Sequence, residues 1–368
     1  MCVFCIVLLS EGKMRKLNLF ELFCGVGGLS LGFEQTGRFN VVAGLEWDPT
    51  IAASYAKNNP NAKVFVGDIC KLDIKDIAKQ IDTKIDIIVG GPPCQGFSTR
   101  GKCLGKEDER NFLFKEFFRY TKFFNPKYFV IENVASILGT EDGYFLKLIL
   151  EEAHKQGYAV NYGILDARYF GVPQTRRRAV FIGTKNGEIK LPVQNLKAKQ
   201  VSVWDAISDL AYLESGEGDF ISEYKNVAQS SYQKDLRKNS KKLYNHVATK
   251  HSDVAVYRLS LIPPEKGKEF LPKEHLTKST FGGTWGRLEK NKPSPTIVTR
   301  FDTPSNGRNN HPFLNRSITP REAARIQSFP DDFVFYGNKS SVIKQIGNAV
   351  PPKLASAIAK EIIKAEDE

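Results

Sequence analysis

The sequence predicts an α/β fold: a doubly wound sheet followed by a second, smaller and irregular domain. From residue 17 to residue 184, short apolar runs rich in β-branched and aromatic residues alternate with stretches whose apolar residues recur at helical spacing. This alternation is typical of a parallel sheet, because each helix carries the chain back to the edge where the next strand begins. After about residue 191 the sequence becomes rich in Lys, Ser, Asn and Gly and loses its periodicity, which predicts the second domain.

Each predicted element follows from its own pattern. Runs such as LNLFELF and KYFVIENV are apolar almost throughout, as expected of strands buried on both faces of a sheet. The segment FLFKEFFRYTKFF instead clusters its apolar residues at helical spacing. Near the end of the chain, Leu354, Ile358 and Ile362 lie four residues apart, which predicts a helix that the preceding two prolines would open. The predicted strands are 17–23, 40–46, 62–68, 84–90, 127–134, 159–167 and 177–184, and the other predicted helices begin near Gly28 and cover 49–57, 112–124 and 143–156.

Bulk composition limits the class of protein. The chain has 368 residues, of which 41% are hydrophobic, enough to bury the cores of two domains. Its formal net charge of +12 indicates a polyanionic partner, because a basic surface gains affinity by displacing counterions from phosphates. A basic protein without such a partner would have the same charge, so composition alone leaves that alternative open.

The six cysteines show no regular disulfide framework, which is typical of a chain kept in the reducing cytoplasm. Cys2 and Cys5 form a C-x-x-C pair, but the two further ligands that zinc needs are not evident, so we expect no metal site. No segment is long and apolar enough to span a membrane. Residues 1–13 precede Met14, an alternative start, and we expect them to be a dispensable leader.

A glycine-rich turn, ELFCGVGGLSLGFE, joins the first strand to the first helix. Glycines at positions 25, 27 and 28 let the backbone approach a ligand closely, and the start of the helix offers unpaired N–H groups. Ser30 occupies the position of the third glycine in G-x-G-x-x-G, which disfavours a dinucleotide. The turn therefore predicts a ligand site but not, by itself, which ligand.

The ends of the second and third strands narrow the choice of ligand. Glu46 can accept hydrogen bonds from both ribose hydroxyls, and Trp47 beside it can stack on a flat base. Asp68 and Ile69 are suited to bind an exocyclic amine and to pack against a ring. Together these residues describe a nucleoside pocket without a phosphate cradle, which fits S-adenosyl-L-methionine better than NAD. In the alternative interpretation Trp47 packs in the core and Glu46 is a surface charge.

Cys94 lies just past the predicted fourth strand, at the edge where doubly wound sheets bind ligands. Pro92 and Pro93 restrict the backbone before it, so the turn is preorganised. A thiol in this position can be a nucleophile if a neighbouring group activates it.

Glu132 ends the predicted fifth strand, and it would face the same cleft as Cys94 if strands four and five are neighbours. A carboxyl that emerges from an apolar run suits proton donation, although a helix-capping or salt-bridged Glu is the alternative. QTRRR, residues 174–178, supplies a dense cationic segment that could equally be a solvated charge run.

Six motifs in order resemble those of DNA (cytosine-5) methyltransferases of the bacterial modification type. One such motif would be a weak signal, but six in family order cover nearly the whole chain. An unmatched stretch lies where this family has its target-recognition domain. The motifs are FCGVGG (23–28), GPPCQGFS (91–98), ENV (132–134), QTRRR (174–178), REAARIQSFPD (321–331) and QIGNAVPP (345–352).

The resemblance implies a Rossmann-like methyltransferase sheet and a role for each matched residue. Cys94 would attack C6 of cytosine, and Glu132 would engage N3 and the exocyclic amine. Arg178 would contact the base O2, and Arg176 would support the catalytic loop. The residues implied to bind S-adenosyl-L-methionine are Phe23, Gly25, Gly27, Glu46, Trp47, Asp68, Ile69, Pro92, Leu113, Asn348 and Val350.

The resemblance also implies how the chain is divided and what it binds. We expect a catalytic, cofactor-binding domain over 14–190, a target-recognition domain over 191–335 and a C-terminal segment, 336–368, that packs back on the first. The partner would be double-stranded DNA, from which the target cytosine is flipped out, and loop 96–110 would close over it. We expect a cytoplasmic monomer without metal or membrane contact, in a restriction-modification system with a separately encoded endonuclease. S-adenosyl-L-homocysteine would be the product.

Three alternatives stay open from the sequence. An RNA cytosine-5 methyltransferase could use the same scaffold, although the long basic region over 191–330 favours duplex DNA. A binding protein with a decayed site would lack activity, but every expected catalytic position is filled. A nicotinamide-dependent dehydrogenase is disfavoured by Ser30. The DNA sequence that the protein recognises cannot be read from these patterns.

Overall fold

The computed structural model describes residues 15–93, 112–210, 212–277 and 283–368, and every structural statement here concerns those residues. They form a seven-stranded sheet in the order β3-β2-β1-β4-β5-β7-β6 and a two-stranded antiparallel sheet of β8 and β9. The strands are β1 Leu17–Leu22, β2 Phe39–Glu46, β3 Lys63–Val66, β4 Ile87–Gly90, β5 Tyr128–Val134, β6 Ala159–Asp166, β7 Arg177–Thr184, β8 Gly218–Ser222 and β9 Leu243–Val247.

Helices connect these strands and continue through the second half of the chain. Those of the first half agree with the predicted positions, apart from the short α3, which was not predicted. The helices are α1 Gly28–Glu34, α2 Pro49–Asn58, α3 Ile74–Ala78, α4 Leu113–Phe124, α5 Tyr144–Lys155, α6 Val203–Ile207, α7 Ser231–Arg237, α8 Asp253–Ser260, α9 Pro320–Ile326, α10 Lys339–Asn348 and α11 Pro352–Asp367.

The sheet is not parallel throughout, which corrects the expectation from the sequence. β7 runs antiparallel to both β5 and β6. Only residues 167–176 separate β6 from β7, and this connection is shorter than the dozen or so residues of a parallel crossover. The reversal places the first residues of β7 at the edge where β5 ends, so the QTRRR motif lies beside ENV.

Both faces of the large sheet are covered, as the apolar strand runs predict. Phe20 of β1 packs in the core that contains Phe117 of α4, while Leu19 packs in the core with Ile358 of α11. Neighbouring strand residues point to opposite faces, so one short strand serves both cores. The protein is therefore a doubly wound α/β structure, as predicted.

A third apolar core lies in the second half of the chain and includes residues of α6, α7, α9 and α10. The sequence patterns did not predict these helices. They are short, and polar caps rather than long apolar stripes define several of them. Ser202, Ser230 and Thr319 each form a capping box, in which side chain and backbone at the helix start bond reciprocally.

The last helix packs against the first. Gly32 of α1 has no room for a side chain, because a Cβ atom there would lie 2.3 Å from the Pro352 carbonyl oxygen. Ser356 Oγ donates a hydrogen bond to the Gly32 carbonyl at 2.6 Å. Within the described parts of the chain, no helix is both long and apolar enough to cross a membrane.

Candidate active site

The ends of β4 and β5 form the centre of the candidate site. The two strands are parallel neighbours, with Gly90 opposite Ile131, so Gly91 follows directly beside Glu132. A Cβ atom at Gly91 would lie 3.4 Å from Glu132 Oε2, so this turn and the carboxyl are in close proximity. The predicted nucleophile Cys94 and the predicted closing loop, 96–110, lie outside the described residues.

Asn133 connects the turn after β4 to the end of β5, a contact that sequence reasoning missed. Its Nδ2 donates to the Pro92 carbonyl oxygen at 3.0 Å, and its Oδ1 accepts from the Val134 N–H at 2.8 Å. Pro92 is itself buried. Only the Glu of the ENV motif received a role from the sequence. The position of Asn133 in the same motif was the signal that could have identified it.

Glu132 and Arg178 form an ion pair at the edge of the sheet. Arg178 Nε lies 2.9 Å from Glu132 Oε1, and the two side chains are only 15% and 10% exposed. In the antiparallel register Val134 lies opposite Arg178 and Glu132 opposite Val180, so the two charged side chains are diagonal neighbours on one face. Glu132 is thus salt-bridged, as the alternative interpretation predicted. Its partner, Arg178, belongs to the QTRRR motif.

Arg176 holds distant segments together by its buried guanidinium. It is 1% exposed, Nη1 donates to the Ile297 carbonyl at 3.2 Å, and Nη2 donates to the carbonyls of Gly347 at 3.1 Å and Asn348 at 3.4 Å. Burial lowers the pKa of Arg176 well below its ordinary value, and nearby Arg178 lowers it further. Its role in supporting the catalytic loop stays a prediction, because that loop lies in the part not described.

Gln174 was given no role by the sequence, although it begins the same motif. Its Oε1 accepts from the Ile297 N–H at 2.8 Å, and its Nε2 donates to Gln327 Oε1 at 2.9 Å. Gln327 Nε2 in turn donates to the Ile346 carbonyl at 2.7 Å. Both glutamines are fully buried. The motif segment before β7 is therefore fixed to α10 and to the strand-like segment around residue 297.

The glycine-rich turn and the end of β2 form the predicted cofactor edge. Gly25 and Gly27 have left-handed backbones with φ of 53° and 93°. Gly25 N–H donates to Glu46 Oε2 at 2.9 Å, and Asp48 N–H donates to Oε1 at 3.0 Å. Burial raises the pKa of Glu46, and these backbone donors lower it in part. Phe23 shares the left-handed conformation, with φ of 53°.

Trp47 is 74% exposed and Glu46 only 8%. The alternative in which Trp47 packs in the core and Glu46 is a surface charge is therefore wrong. An exposed indole thus lies beside a buried carboxyl, and their role in a nucleoside pocket stays a prediction.

The remaining predicted cofactor residues surround this edge. Ile69 is buried after β3, and its carbonyl accepts from Arg119 Nη2 of α4 at 2.6 Å. Asp68 Oδ1 accepts from Cys70 N–H at 3.0 Å. Leu113 begins α4 and packs in the core that contains Ile69.

One predicted residue, Val350, reaches this edge from the C-terminal segment. A Cβ atom on Gly28 would lie 2.3 Å from the Val350 carbonyl oxygen, so Val350 contacts the glycine turn directly. Asn348 is exposed at the end of α10. No group of three or more His, Cys, Asp or Glu side chains within the described ranges could hold a metal ion.

Comparison with known proteins gives a consistent result. The family model for the C-5 cytosine-specific DNA methylases matches residues 17–364. The chain is 39% identical to the Type II methyltransferase M.DdeI of Desulfomicrobium norvegicum, with 94% of this chain and 88% of the relative aligned. It is 36% identical to the Type II methyltransferase M1.HphI of Haemophilus parahaemolyticus, over 95% and 87%. A prophage-encoded E. coli protein assigned as a DNA modification methyltransferase has a similar structure, with a TM-score of 0.77, 27% identity, and coverage of 96% of this chain and all of that one.

Proposed function

The chain belongs to the C-5 cytosine-specific DNA methylase family, and from this premise we propose that it uses S-adenosyl-L-methionine to methylate C5 of a cytosine flipped out of a specific duplex sequence. The activity class, a DNA (cytosine-5) methyltransferase related to Type II modification enzymes, follows from the family. The proposal concerns the cofactor, the flipped base and the residues that act on it.

The observation that carries the proposal is the ion pair of Glu132 and Arg178 beside the Gly91–Pro92 turn. Cytosine C5 is a poor nucleophile until the conjugation of the ring is broken. The Cys94 thiolate adds to C6, which forms an S–C6 bond and moves electron density to C5. Glu132 stabilises that density by donating a proton or hydrogen bond at N3, while Arg178 contacts O2.

The remaining steps restore the aromatic ring. C5 takes up the methyl group, a base removes the C5 proton, and the electrons of that C–H bond expel the Cys94 thiolate from C6. We assign no residue as this base, and water is a suitable candidate. Arg178 keeps Glu132 oriented through the reaction, since a carboxyl held by a guanidinium has fewer accessible rotamers.

The residues at the cofactor edge fit S-adenosyl-L-methionine, which supplies an electrophilic methyl group when bound. The Gly25–Gly27 backbone leaves room for a close ligand, the Glu46 carboxyl suits ribose hydroxyls, and the exposed face of Trp47 suits an adenine ring. We infer that Phe23, Asp68, Ile69, Pro92, Leu113, Asn348 and Val350 complete the site.

Duplex DNA is the proposed partner because the family and the relatives are DNA methylases, and within a duplex the target base must be extruded before it can react. Taking a base out of the stack costs a few kcal/mol, which phosphate contacts from a chain of net charge +12 can offset. We propose that residues 191–335 read the flanking bases, that 14–190 form the catalytic domain, and that 336–368 complete it. A separately encoded endonuclease, a monomeric state and a cytoplasmic location complete the proposal.

The test combines target mapping with covalent trapping. Bisulfite sequencing of DNA from cells that express the chain should show 5-methylcytosine in one sequence context. A duplex with 5-fluorocytosine at that position should then form an adduct on the peptide that contains Cys94. Cys94→Ser should abolish methylation and trapping but retain DNA binding, while Cys70→Ser, at an exposed cysteine, should behave as the wild type.

Either of two results would contradict the proposal: undiminished methylation by Cys94→Ser, or an adduct on another residue. The RNA alternative is not favoured, because the relatives include Type II modification methyltransferases. Methyl transfer to tRNA rather than to DNA in the same assay would revive it.

A further inference from the structure

Glu21 is a buried carboxyl that the proposed mechanism leaves without a role. It lies in β1 with Gly44 of β2 and Val89 of β4 opposite it, in the middle of the sheet. It is 3% exposed, on the strand face whose other members, Leu17 and Leu19, pack in an apolar core. Burying a carboxyl at an apolar position costs free energy, so its presence calls for an explanation.

Among the described residues, the Glu21 side chain has no cationic partner. Its Oε2 atom is buried without a hydrogen-bond partner among the described residues, and Glu21 forms no salt bridge with any of them. Burial raises the pKa of Glu21 to about 8, although the hydroxyl and the backbone N–H of Ser30 and the hydroxyl of Tyr55 lower it in part. In the free protein at neutral pH, Glu21 is therefore mostly a neutral acid.

This carboxyl lies beneath the cofactor turn. Ser30 belongs to α1, and its Oγ donates to the Gly27 carbonyl at 3.2 Å. Tyr55 of α2 supports the same turn, because a Cβ atom on Gly27 would lie 2.8 Å from its ring. The hydroxyl of Tyr55 donates to Ser30 Oγ at 3.5 Å. Glu21 thus shares its immediate neighbours with the turn that we assign to the ligand.

The ionisable groups that interact most strongly with Glu21 among the described residues are Glu46, Cys24 and Tyr55, none of which carries a positive charge. Glu46 of β2 raises the pKa of Glu21 further, and Cys24 and Tyr55 both have their own pKa values raised, mainly by burial and next by Glu21. Two buried carboxyls lie under one glycine-rich turn, and no described residue forms a salt bridge with Glu21. A positive charge would stabilise such an environment.

We propose that Glu21 is a specificity-determining residue of the cofactor site, supplying the negative charge by which the protein prefers the sulfonium of S-adenosyl-L-methionine to the neutral thioether of S-adenosyl-L-homocysteine. This inference rests on the proposed function. The two ligands share their adenosine and amino-acid groups and differ by one methyl group and one positive charge. A preference based on that charge would favour release of the product after each methyl transfer.

The preference should depend on pH in a defined direction. A bound cation favours the ionised carboxyl, so it lowers the pKa of Glu21 and releases a proton when the free protein carries one. The affinity for S-adenosyl-L-methionine should therefore increase as the pH rises and level off above about 8, where Glu21 becomes mostly ionised in the free protein. The affinity for S-adenosyl-L-homocysteine should lack this increase.

Titration calorimetry of the full-length protein tests the inference. Both ligands are titrated between pH 6.5 and 8.5 in two buffers of different ionisation enthalpy, which reports proton release directly. The wild type should release protons on binding S-adenosyl-L-methionine but not S-adenosyl-L-homocysteine. Glu21→Gln should lose this release, and its preference for the charged ligand should fall about tenfold, the equivalent of one pKa unit of coupling. Its affinity for the neutral ligand should stay unchanged.

Two further variants separate charge from structure. Glu34→Gln makes the same change at an exposed position of α1 and should match the wild type. Glu21→Asp keeps the charge and should restore part of the preference. An equal loss of affinity for both ligands in Glu21→Gln, or an unchanged preference, would overturn the inference.

If Glu21→Gln does not fold, the measurement on the wild type still tests the inference. Equal proton release on binding the two ligands would overturn it. Failure of the wild type to bind either ligand would instead contradict the proposed cofactor, and the methylation and trapping experiments would identify that separate failure.

Discussion

At the scale of single residues, the site depends on pairs that lie far apart in the sequence. Glu132 ends β5 and Arg178 begins β7, and the antiparallel register brings Nε to 2.9 Å from Oε1. Asn133 then ties the same strand end to Pro92 at 3.0 Å. A carboxyl, a cation and the turn before Cys94 are thus held in one place by these contacts.

Removing the acid function of Glu132 should slow methyl transfer but leave the affinity for DNA nearly unchanged. Glu132→Gln keeps the size of the side chain but cannot transfer a proton, so we expect the single-turnover methyl-transfer rate to fall by about 10²–10⁴. DNA affinity, measured in parallel by fluorescence anisotropy, should change little. Glu151→Gln, an exposed position on α5, is the matched control. A rate for Glu132→Gln within about threefold of the wild type would exclude proton donation by this residue.

At the scale of elements, the contact between α1 and α11 closes one face of the sheet. Leu354, Ile358 and Ile362 are all fully buried, which confirms the helix predicted from their spacing. Gly28 and Gly32, four residues apart on α1, allow the C-terminal segment to approach within contact of the backbone. The spacing predicted the helix but not its partner, because an apolar stripe does not specify which surface it covers.

A side chain at this contact should destabilise the fold. A Cβ atom at Gly32 would lie 2.3 Å from the Pro352 carbonyl oxygen and 2.4 Å from Ala355 Cβ, so the helices must separate. We expect Gly32→Ala to lower the free energy of unfolding by about 1–3 kcal/mol, measured by urea denaturation. Gly139→Ala is the control, since its Cβ would meet nothing within 4 Å and its φ of −118° suits any residue. Equal stability of the two variants would mean that α11 does not pack as described.

At the scale of the whole molecule, buried charges organise the second half of the chain. Arg325 of α9 pairs with Asp331, with Nη2 2.7 Å from Oδ2, and also with Asp209 after α6, and all three side chains are fully buried. Burial alone would lower the pKa of Arg325, but the two carboxylates raise it above its ordinary value. Burial by itself would raise the pKa of Asp331, but the neighbouring Arg325 lowers this pKa below its ordinary value.

Breaking this buried network should lower the free energy of unfolding by more than breaking an ion pair on the surface. Arg325→Met leaves two buried carboxylates without their main partner, so we expect a loss of about 3 kcal/mol or more in the free energy of unfolding. Arg237 still contacts Asp209 at 2.9 Å, which keeps the loss near the lower end of the range for buried pairs.

Lys339→Met is the matched control for the buried arginine. It removes an exposed cation 3.8 Å from Asp302 and should cost about 0–1 kcal/mol in the same urea titration. A loss for Arg325→Met no larger than that of this control would show that the buried network does not stabilise the domain.

The sequence by itself determined the strands and most helices of the first half, the glycine turn and the α11 helix. These features are local, because the spacing of apolar residues within a segment and the turn-forming residues at its ends are visible in that segment alone. The positions of Phe23, Glu46 and Trp47 at one edge also followed, because parallel strands with intervening helices bring their carboxyl ends together.

Only the tertiary structure decided the reversed direction of β7, the pairing of Arg178 with Glu132, the buried contacts of Gln174 and Arg176, and the burial of Glu21 beneath the glycine-rich turn. Each of these depends on strand order and on which surfaces meet across long stretches of sequence. The sequence pattern of a segment indicates how deeply its residues are buried, but not which other residues they pack against. That is the physical reason why the sequence alone left these contacts open.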